Sequence, residues 1–573
     1  MALVATVFVL FILYASGVAF HYPRRPARPP PKVTLPRYGT FSGTYNPEMT
    51  VEKFLGIEYS IQPNGTNRFK PMLWPRDRPQ SFVDVKGRDA SQIGPRCPQG
   101  GGQNEKENCL VLNLFRPANY SFAKTSKKLP VLIFLHGGAF QSGYAGSFDG
   151  PMFIAKSKEP LIVATVQYRL GALGSLPSKL FEEEGLLNLG IQDQKMALHF
   201  LKEYVQHFGG DPNRITLGGQ SAGAHSVGIH LFHKYDSEAN SNLFQQVVIS
   251  SGSPTARAFP NATHPIFQAH FKAFMKIVGC NETADNDVAL NCLKEAPLGI
   301  ISKAQNAVFQ ASKHNITWPW QPVSPGPLLE KRGSQSGADE TFFKIPTLIS
   351  SNTNEGRFFA PHDLTSGDEF LAFFENLARG LTDTDIIELN QLYPTPERAE
   401  SPYIPPDNQP ITIGRQFNRM SAAWGDYAYI CAVQETARLL ADAGASVYRA
   451  RFNTPNSHYY TPEWQRGFVP HATDARYFNG AQDVEFSGVA DLYHSYWVNF
   501  IVKGDPNNEW EYPTPNGLEM PPRWTRYEKL GGRLLNVRPT VKGGTVMEDE
   551  GVGIRMKECA WWNDPERMRR LNK

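Results

Sequence analysis

The sequence predicts an α/β fold with a mainly parallel central sheet that helices cover on both faces. Six short runs rich in β-branched and aromatic residues recur along the chain. Between the second and third runs, IQDQKMALHFLKEYVQHFG carries apolar residues mainly at three- and four-residue spacing, as on one face of a helix. Strands that alternate with helices in this way form parallel sheets. The predicted strands are 128–138, 161–169, 214–219, 244–252, 345–352 and 446–452.

The composition is that of an ordinary globular protein. Hydrophobic residues make up 41% of the chain, aromatic residues 12% and charged residues 20%. A formal net charge of +3 over 573 residues provides no polyelectrolyte signal, so nucleic acid is not expected as a partner. The sequence shows no fixed-period repeat, which argues against a solenoid or a propeller.

The N-terminus reads as a secretory signal peptide over residues 1–19. An apolar run is followed by small residues, with Gly17 and Ala19 placed as a cleavage site. A membrane anchor is the alternative, because residues 2–20 carry no charge and are just long enough to span a bilayer. The following HYPRRPARPPPK suits an extended, basic, Pro-rich spacer, which we place at 20–37.

Cysteines and glycosylation sequons point to the same oxidising, extracellular route. Six cysteines, an even number, allow fifteen disulfide connectivities, so the count alone does not decide the pairing. Five N-x-S/T sequons are candidate glycosylation sites. The cysteines are Cys97, Cys109, Cys280, Cys292, Cys431 and Cys559, and the sequons lie at Asn64, Asn119, Asn261, Asn281 and Asn315.

A G-x-S-x-G motif, GGQSAG, joins the predicted strand 214–219 to a helix. This pattern holds a nucleophilic serine, here Ser221, on a sharp turn. A serine nucleophile needs a base to take its proton and an acid to orient that base. Glu355 follows the strand 345–352, and His471 follows the strand 446–452. Both therefore lie beyond the carboxyl ends of strands, where open α/β sheets bind ligands.

Donors for a developing oxyanion are expected from LHGGAF, which follows the first strand. The backbone N–H groups of Gly137 and Gly138, with that of Ala222, would point at the oxyanion. An ordinary turn is the alternative for this segment. His225 is close to Ser221 in sequence but lies on the same predicted helix, so His471 is the better base.

Together these residues resemble the type-B carboxylesterase and cholinesterase family of α/β-hydrolases. The resemblance runs from about residue 38 to about residue 563. It implies an α/β-hydrolase fold with large insertions and one catalytic domain over 38–573. The length of the chain alone would suggest three or four domains. The motifs are NRFKP, ENCLVLNLFRP, LHGGAF, VQYRLGALGSL, LNLGIQDQKMAL, GGQSAGAHSV, ISSGSP, NTNEG, YWVNFIVKGDPN and ECAWWND.

The family resemblance implies a role for each motif residue. Ser221, Glu355 and His471 match the triad, and Gly137, Gly138 and Ala222 match the oxyanion hole. Ser251 and Asp474 match polar groups behind the histidine. The remaining matches are structural: disulfides Cys97–Cys109, Cys280–Cys292 and Cys431–Cys559, and buried ion pairs Arg68–Glu107 and Arg169–Asp193. No metal or organic cofactor is implied.

The chain also departs from the family pattern. Cholinesterases carry a choline-binding tryptophan in the first disulfide loop, whereas the loop of this chain, PQGGGQNEKEN, has no aromatic residue. Lipases of the family use the same loop as a long amphipathic lid, and this loop is too short and polar to form one. Gln220 stands where cholinesterases have a glutamate. Gly467 is shifted by one position before His471, and Ala472 follows it. Arg257, after SGSP, either points to solvent or attracts acidic acyl groups.

The sequence therefore predicts a secreted, glycosylated serine carboxylesterase that acts on soluble neutral or anionic small-molecule esters. An interfacial lipase or sterol esterase of the same family is the first alternative. A non-catalytic, cholinesterase-like adhesion protein is the second, although all three triad residues are present. No stable membrane insertion is expected after signal cleavage. The natural ester and the oligomeric state stay open.

Overall fold

A large, mostly parallel sheet forms the centre of the molecule. The computed structural model describes residues 28–72, 87–120, 127–233, 243–256, 258–455, 463–507 and 521–573. Strands in these ranges are β1 (Lys32–Leu35), β2 (Gly39–Ser42), β3 (Thr44–Asn46), β4 (Val51–Glu58), β5 (Arg88–Asp89), β6 (Val111–Pro117), β7 (Leu129–Leu135), β8 (Ile162–Val166), β9 (Gly210–Gln220), β10 (Gln246–Ser250), β11 (Thr347–Asn352), β12 (Val447–Phe452), β13 (Arg533–Val537) and β14 (Val546–Asp549).

The central sheet has the strand order β14-β13-β12-β11-β10-β9-β7-β8-β6-β4-β3 within the described residues. Pairing is parallel from β13 through β12, β11, β10, β9 and β7 to β8. It is antiparallel at both edges, where β14 pairs with β13 and where β8, β6, β4 and β3 pair in turn. A small second sheet has the order β1-β2-β5. The predicted α/β-hydrolase fold class is confirmed.

Helices cover the sheet and fill the insertions between strands. The α-helices of the described residues are α1 (Gly150–Lys156), α2 (Gly171–Gly174), α3 (Lys179–Glu183), α4 (Leu189–Tyr204), α5 (Ala222–Phe232), α6 (Pro265–Val278), α7 (Asn286–Glu295), α8 (Leu298–Ser312), α9 (Gly333–Ala338), α10 (Gly367–Leu377), α11 (Asp383–Leu392), α12 (Phe417–Gly425), α13 (Cys431–Asp442), α14 (Asp474–Phe478), α15 (Ser487–Lys503), α16 (Met556–Trp562) and α17 (Pro565–Leu571).

Both faces of the sheet are buried, as the continuous apolar runs predict. Side chains of a strand alternate between faces, so β7 sends Val131 and Ile133 into one core and Leu132 and Phe134 into the other. The first core includes residues of α4 and α5, and the second includes the aromatic face of α15. This two-sided cover explains why the strand sequences lack the polar alternation of a half-exposed sheet.

All six strands expected from the sequence are present, with β7 to β12 lying inside or close to the predicted ranges. The predicted helix at 191–209 is α4, which ends at Tyr204 and continues as a 3-10 turn over Val205–Phe208. The antiparallel strands were not expected from the sequence. In β4, VEKFLGIE, charged residues interrupt the apolar run, so it lacks the signal that the parallel strands carry.

The spacer placed at 20–37 needs a correction, because part of it is folded. Lys32–Leu35 is strand β1, which pairs antiparallel with β2, and its Val33 and Leu35 side chains are buried. The folded body therefore begins before residue 38. The signal peptide predicted at 1–19 lies outside the described residues. Over the described ranges, no helix combines the length and the apolar character needed to traverse a bilayer.

Three disulfides link the cysteines in the expected pairs. Cys97–Cys109 and Cys280–Cys292 each close a local loop, with 12 residues of sequence separation. Cys431–Cys559 joins the first residue of α13 to α16 across 128 residues of sequence. Such cross-links restrict the unfolded chain and typically stabilise a domain by about 2–4 kcal/mol each.

A buried ion pair connects the segment after β8 to helix α4. The guanidinium of Arg169 donates to both carboxylate oxygens of Asp193 at 2.7 Å, and its third nitrogen donates to the Lys70 carbonyl at 2.8 Å. Burial raises the pKa of Asp193, and the charge of Arg169 opposes that rise. A second pair, Arg68 with Glu107 at 2.5 Å, is also mostly buried. Both pairs match the structural role expected from the sequence.

Replacing Arg169 with Met should destabilise the fold strongly. The substitution keeps an apolar stem but leaves the Asp193 carboxylate buried without its cation, which typically costs about 3–5 kcal/mol. The free energy of unfolding from urea titration measures this loss. The control is Lys179→Met, which removes an exposed cation 3.5 Å from Glu183 and should change stability by less than about 0.5 kcal/mol. Equal effects of the two substitutions would contradict a structural role for the buried pair.

Candidate active site

Ser221 occupies a sharp turn between strand β9, which ends at Gln220, and helix α5, which begins at Ala222. Its backbone has φ 58° and ψ −126°, a conformation that side-chain-bearing residues rarely adopt. Close packing enforces the turn: a Cβ atom on Gly223 would overlap the Leu135 carbonyl oxygen. The Ser221 N–H donates to the Ser250 carbonyl at 3.0 Å. The hydroxyl is thereby held at the end of the sheet.

His471 and Glu355 join Ser221 in one hydrogen-bonded chain. The His471 Nε2 atom lies 2.8 Å from Ser221 Oγ, and its Nδ1 atom lies 2.5 Å from Glu355 Oε2. All three residues are buried. Glu355 begins a 3-10 turn, Glu355–Phe358, shortly after β11, whereas His471 lies in the loop region after β12. The structure therefore brings Ser221, His471 and Glu355 together, as the sequence predicts.

The second carboxylate oxygen of Glu355 is also fully engaged. Ser251 Oγ donates to Glu355 Oε1 at 2.6 Å, and the Asn352 backbone N–H donates to the same oxygen at 2.6 Å. The Asn352 side chain donates to Ser251 Oγ at 3.0 Å. Asn352 was not singled out from the sequence, because as the last residue of β11 it reads as an ordinary strand end.

Asp474 lies behind this network and is linked to it through Asn352. It accepts a hydrogen bond from Ser250 Oγ at 2.5 Å and from Asn352 Nδ2 at 3.1 Å. Burial raises the pKa of Asp474 to about 6, and the nearby Glu355 charge adds to the rise, while the hydrogen bonds from Ser250 and Asn352 oppose it. Asp474 thus supports Ser250 and Asn352, which lie next to Ser221, His471 and Glu355 in this network.

A cleft of about 720 Å³ opens above Ser221. Gly138 and Ala222, two of the predicted oxyanion donors, line it, but Gly137 does not, and Ala139 lines it instead. Gly137 lies against the nucleophile turn, since a Cβ atom there would come within 2.8 Å of Ser221 Cβ. Ala222 is the first residue of α5, so no carbonyl group of the helix can accept a hydrogen bond from its N–H.

Five aromatic side chains line this cleft, and its polar groups are mostly uncharged. Gln220 lies beside the histidine, with its Nε2 atom 3.4 Å from His471 Nε2. Lys313 carries the one permanent charge among the lining residues that the structure describes, and none of these is acidic. His225 also lines the cleft, and its Nδ1 atom accepts from the Ser253 N–H at 3.1 Å. The aromatic residues are Phe309, Trp318, Phe358, Phe359 and Tyr429.

The remaining sites considered from the sequence are the glycosylation sequons, Arg257 and a possible metal site. All five sequon asparagines are exposed, which leaves room for glycans. Arg257, the candidate acyl-pocket cation, lies outside the described residues. Within the described ranges, no group of three or more His, Cys, Asp or Glu residues is placed to hold a metal ion.

Comparison with known proteins points to one family. The model of the carboxylesterase family matches residues 29–559. Secreted lipase 4 of Gibberella zeae is 41% identical over 94% of both chains, and acetylcholinesterase 1 of Caenorhabditis elegans is 27% identical over 89% of this chain and 84% of its own. The crystal structure of Aspergillus niger EstA, 26% identical, superposes with a TM-score of 0.77 over 93% of this chain and 98% of its own.

Asp474→Asn should change how stability depends on pH. Because the folded-state pKa of Asp474 is raised from 3.8 to about 6, the folded protein holds this proton more tightly than the unfolded chain does. Its contribution to stability is therefore present below pH 4 and is lost as the pH rises through 6. Asparagine does not titrate, so the variant should gain about 2–3 kcal/mol relative to the native protein between pH 4 and pH 7.

Urea unfolding of both proteins at pH 4, 5, 6 and 7 measures this difference. Asp407→Asn, at an exposed position, controls for the loss of one negative charge. A stability difference that stays constant over this range would contradict the raised pKa.

Proposed function

The chain belongs to the carboxylesterase family and is a serine ester hydrolase, and we propose that Ser221, His471 and Glu355 are its catalytic triad. The observation that carries this proposal is the continuous hydrogen-bonded chain from Ser221 Oγ through both ring nitrogens of His471 to Glu355. Glu355 fixes the ring orientation and favours a proton on Nδ1, which leaves Nε2 free to accept the serine proton.

The reaction then follows from this geometry. Ser221 Oγ attacks the ester carbonyl carbon while His471 Nε2 takes its proton. Backbone N–H groups of Gly138, Ala139 and Ala222 stabilise the oxyanion of the tetrahedral intermediate. When the C–O bond breaks, His471 returns the proton to the departing alcohol, and the acyl group stays on Ser221. Water, deprotonated by His471, attacks the acyl-enzyme and releases the carboxylic acid.

We assign the substrates to neutral or anionic esters. Lys313 and the absence of acidic residues among the described lining of the cleft disfavour a cation. Gln220 adds no charge beside His471, and the first disulfide loop offers no aromatic ring for a quaternary ammonium group. The aromatic walls suit an apolar acyl or alcohol group.

The loop between Cys97 and Cys109 supports a preference for soluble esters. Glu105 accepts hydrogen bonds from the backbone N–H groups of Gln99, Gly101 and Gly102 at 2.8–3.0 Å, so the loop is folded on itself. It contains no helix. A closed polar turn of this kind lacks the amphipathic surface of a lid that opens at an oil interface. A lipase remains the second candidate, since a similar protein is named a secreted lipase.

Extracellular location forms part of the same proposal. Three disulfides, five exposed sequons and the apolar N-terminal segment all fit a secreted protein. Relatives from Gibberella zeae and Botryotinia fuckeliana are named secreted lipases.

Ser221→Ala should lower kcat for a p-nitrophenyl ester by about 10³-fold or more, because the nucleophile is removed while the oxyanion donors remain. The native protein should also be labelled by an organophosphonate, and the variant should not. Ser495→Ala, at a partly exposed position on α15, is the matched control and should keep full activity. Unchanged turnover or labelling in the Ser221 variant would refute the nucleophile and favour the non-catalytic alternative.

Activity towards a short-chain triglyceride should rise smoothly with concentration and show no jump at the solubility limit. This expectation follows from the closed Cys97–Cys109 loop, which has no lid to open at an interface. Initial rates measured across the solubility limit test it. A several-fold increase when emulsion appears would favour the interfacial lipase.

A further inference from the structure

A second cavity lies on the other side of the turn that carries Glu355. Its volume is about 540 Å³, and none of its lining residues lines the cleft above Ser221. The 3-10 turn Glu355–Phe358 separates the two spaces: Glu355 and Arg357 line the second cavity, whereas Phe358 lines the first. Glu355 is the one residue of the proposed hydrolysis that lines this second space.

Arg357 brings a buried positive charge into the second cavity. Its residue surface is only 5% exposed. The guanidinium lies 3.7 Å from the ring centroid of Phe468, and Nη1 donates to Asn418 Oδ1 at 2.8 Å. Its Nε and Nη2 atoms are buried, and no atom of the described residues accepts a hydrogen bond from them. Burial lowers the pKa of Arg357 to about 10, so the group is charged at neutral pH.

The charge of Arg357 has no acidic partner in the described part of the chain. The cavity also contains Arg555, whose guanidinium is bonded to Asp426 at 2.6 and 2.7 Å. Two carboxylates line the space as well: Glu355 is engaged in the triad network, and burial raises the pKa of Glu558. Of the two arginines that line this cavity in the described residues, Arg357 is therefore the one without a counter-ion.

The rest of the cavity has a polar end and an apolar wall. Ser421 Oγ is buried and makes no hydrogen bond with any described residue. Nε–H and Nη2–H of a guanidinium point from one edge as a fork whose spacing matches the two oxygens of a carboxylate. Leaving such donors buried and unbonded is costly. The apolar wall is formed by Pro402, Tyr403, Ile404, Pro406 and Ile430.

We propose that this cavity is a binding site for an organic carboxylate. Because these three donor atoms are buried in the structure, the Arg357 and Ser421 side chains turn into the cavity when the ligand binds. The carboxylate oxygens then accept the Nε and Nη2 hydrogens of Arg357 and the hydroxyl hydrogen of Ser421, and the hydrocarbon part of the ligand lies against the apolar wall. Binding does not require a reactive Ser221, so the site stands independently of the proposed hydrolysis.

Calorimetric titration of the full chain with sodium hexanoate tests the proposal. Treating the protein beforehand with an organophosphonate fills the cleft at Ser221 and restricts binding to other sites. Hexanoate should bind the treated protein at one site, and 1-hexanol, which has the same chain and no charge, should bind at least about tenfold more weakly. Equal binding of the two probes would refute recognition of a carboxylate.

Arg357→Gln should weaken hexanoate binding by about tenfold or more, because the charged fork is lost. Arg415→Gln, which removes an exposed arginine 3.4 Å from Glu397, is the matched control and should bind as the native protein does. If Arg357→Gln fails to fold, Ser421→Ala removes one small hydroxyl and should weaken binding by about threefold to tenfold.

Several results would overturn the proposal. Hexanoate affinity that is unchanged in Arg357→Gln or, where that variant does not fold, in Ser421→Ala would place the ligand elsewhere. Displacement of hexanoate by an equal concentration of chloride would show a site for simple anions. A crystal structure grown with hexanoate that holds only ordered water in this cavity would show that Arg357 is hydrated. Hexanoate density against Arg357 and Ser421 would support the site.

Discussion

The strained turn at Ser221 is the constraint on which the rest of the site depends. Its φ of 58° belongs to a region that costs a residue with a side chain about 1–3 kcal/mol. Such a conformation persists only where its surroundings determine it. Here the Ser221 N–H is bonded to Ser250 of the neighbouring strand, and helix α5, which follows at once, is buried along its whole length. The hydroxyl therefore cannot relax away from the cleft.

Parallel register then brings the other polar groups to the same edge of the sheet. Gln220 of β9 pairs with Ser250 of β10, and Ser250 pairs with Ser350 of β11. Residues just after these positions, Ser221 and Ser251, consequently emerge side by side, and Glu355 follows from the next strand. A carboxylate that is buried away from water is tolerated only when its oxygens accept hydrogen bonds from neighbouring groups. Glu355 meets this condition through Ser251, Asn352 and His471.

The sequence could predict the parts of this arrangement that leave a local signature. Apolar runs indicated β7 to β12, and the G-x-S-x-G motif indicated the sharp turn at Ser221, because both patterns depend on near neighbours in the chain. The antiparallel β4 gave no such pattern, because charged residues interrupt its apolar run. The strand Lys32–Leu35 was missed for another reason. Its proline-rich surroundings resemble a linker, whereas pairing with β2 and burial of Val33 and Leu35 order it.

Within the site, residues whose role depends on a distant segment escaped prediction. Which of Gly137 and Ala139 lines the cleft depends on how the loop after β7 packs against the β9–α5 turn, and no neighbouring residue in the sequence reveals this packing. Asn352 links Ser251 to Asp474 across more than 100 residues in either direction. Arg357, two positions after Glu355, reads as a surface arginine until Phe468 and Asn418 enclose it.

The part of the site formed by α12 and the segment after it is held as firmly as the turn at Ser221. Between α12 and α13 the helix widens into a π-helical segment, Asp426–Ile430, a feature often found at functional sites. Its Tyr429 ring lies 4.5 Å from the His471 ring. The backbone of α12 approaches Gly356 so closely that a Cβ atom there would overlap the Ser421 carbonyl oxygen. Because this contact fixes the turn that begins at Glu355, the Glu355 carboxylate cannot shift without displacing α12. The geometry of the proposed triad is thus set from both sides, by the sheet edge and by this helix.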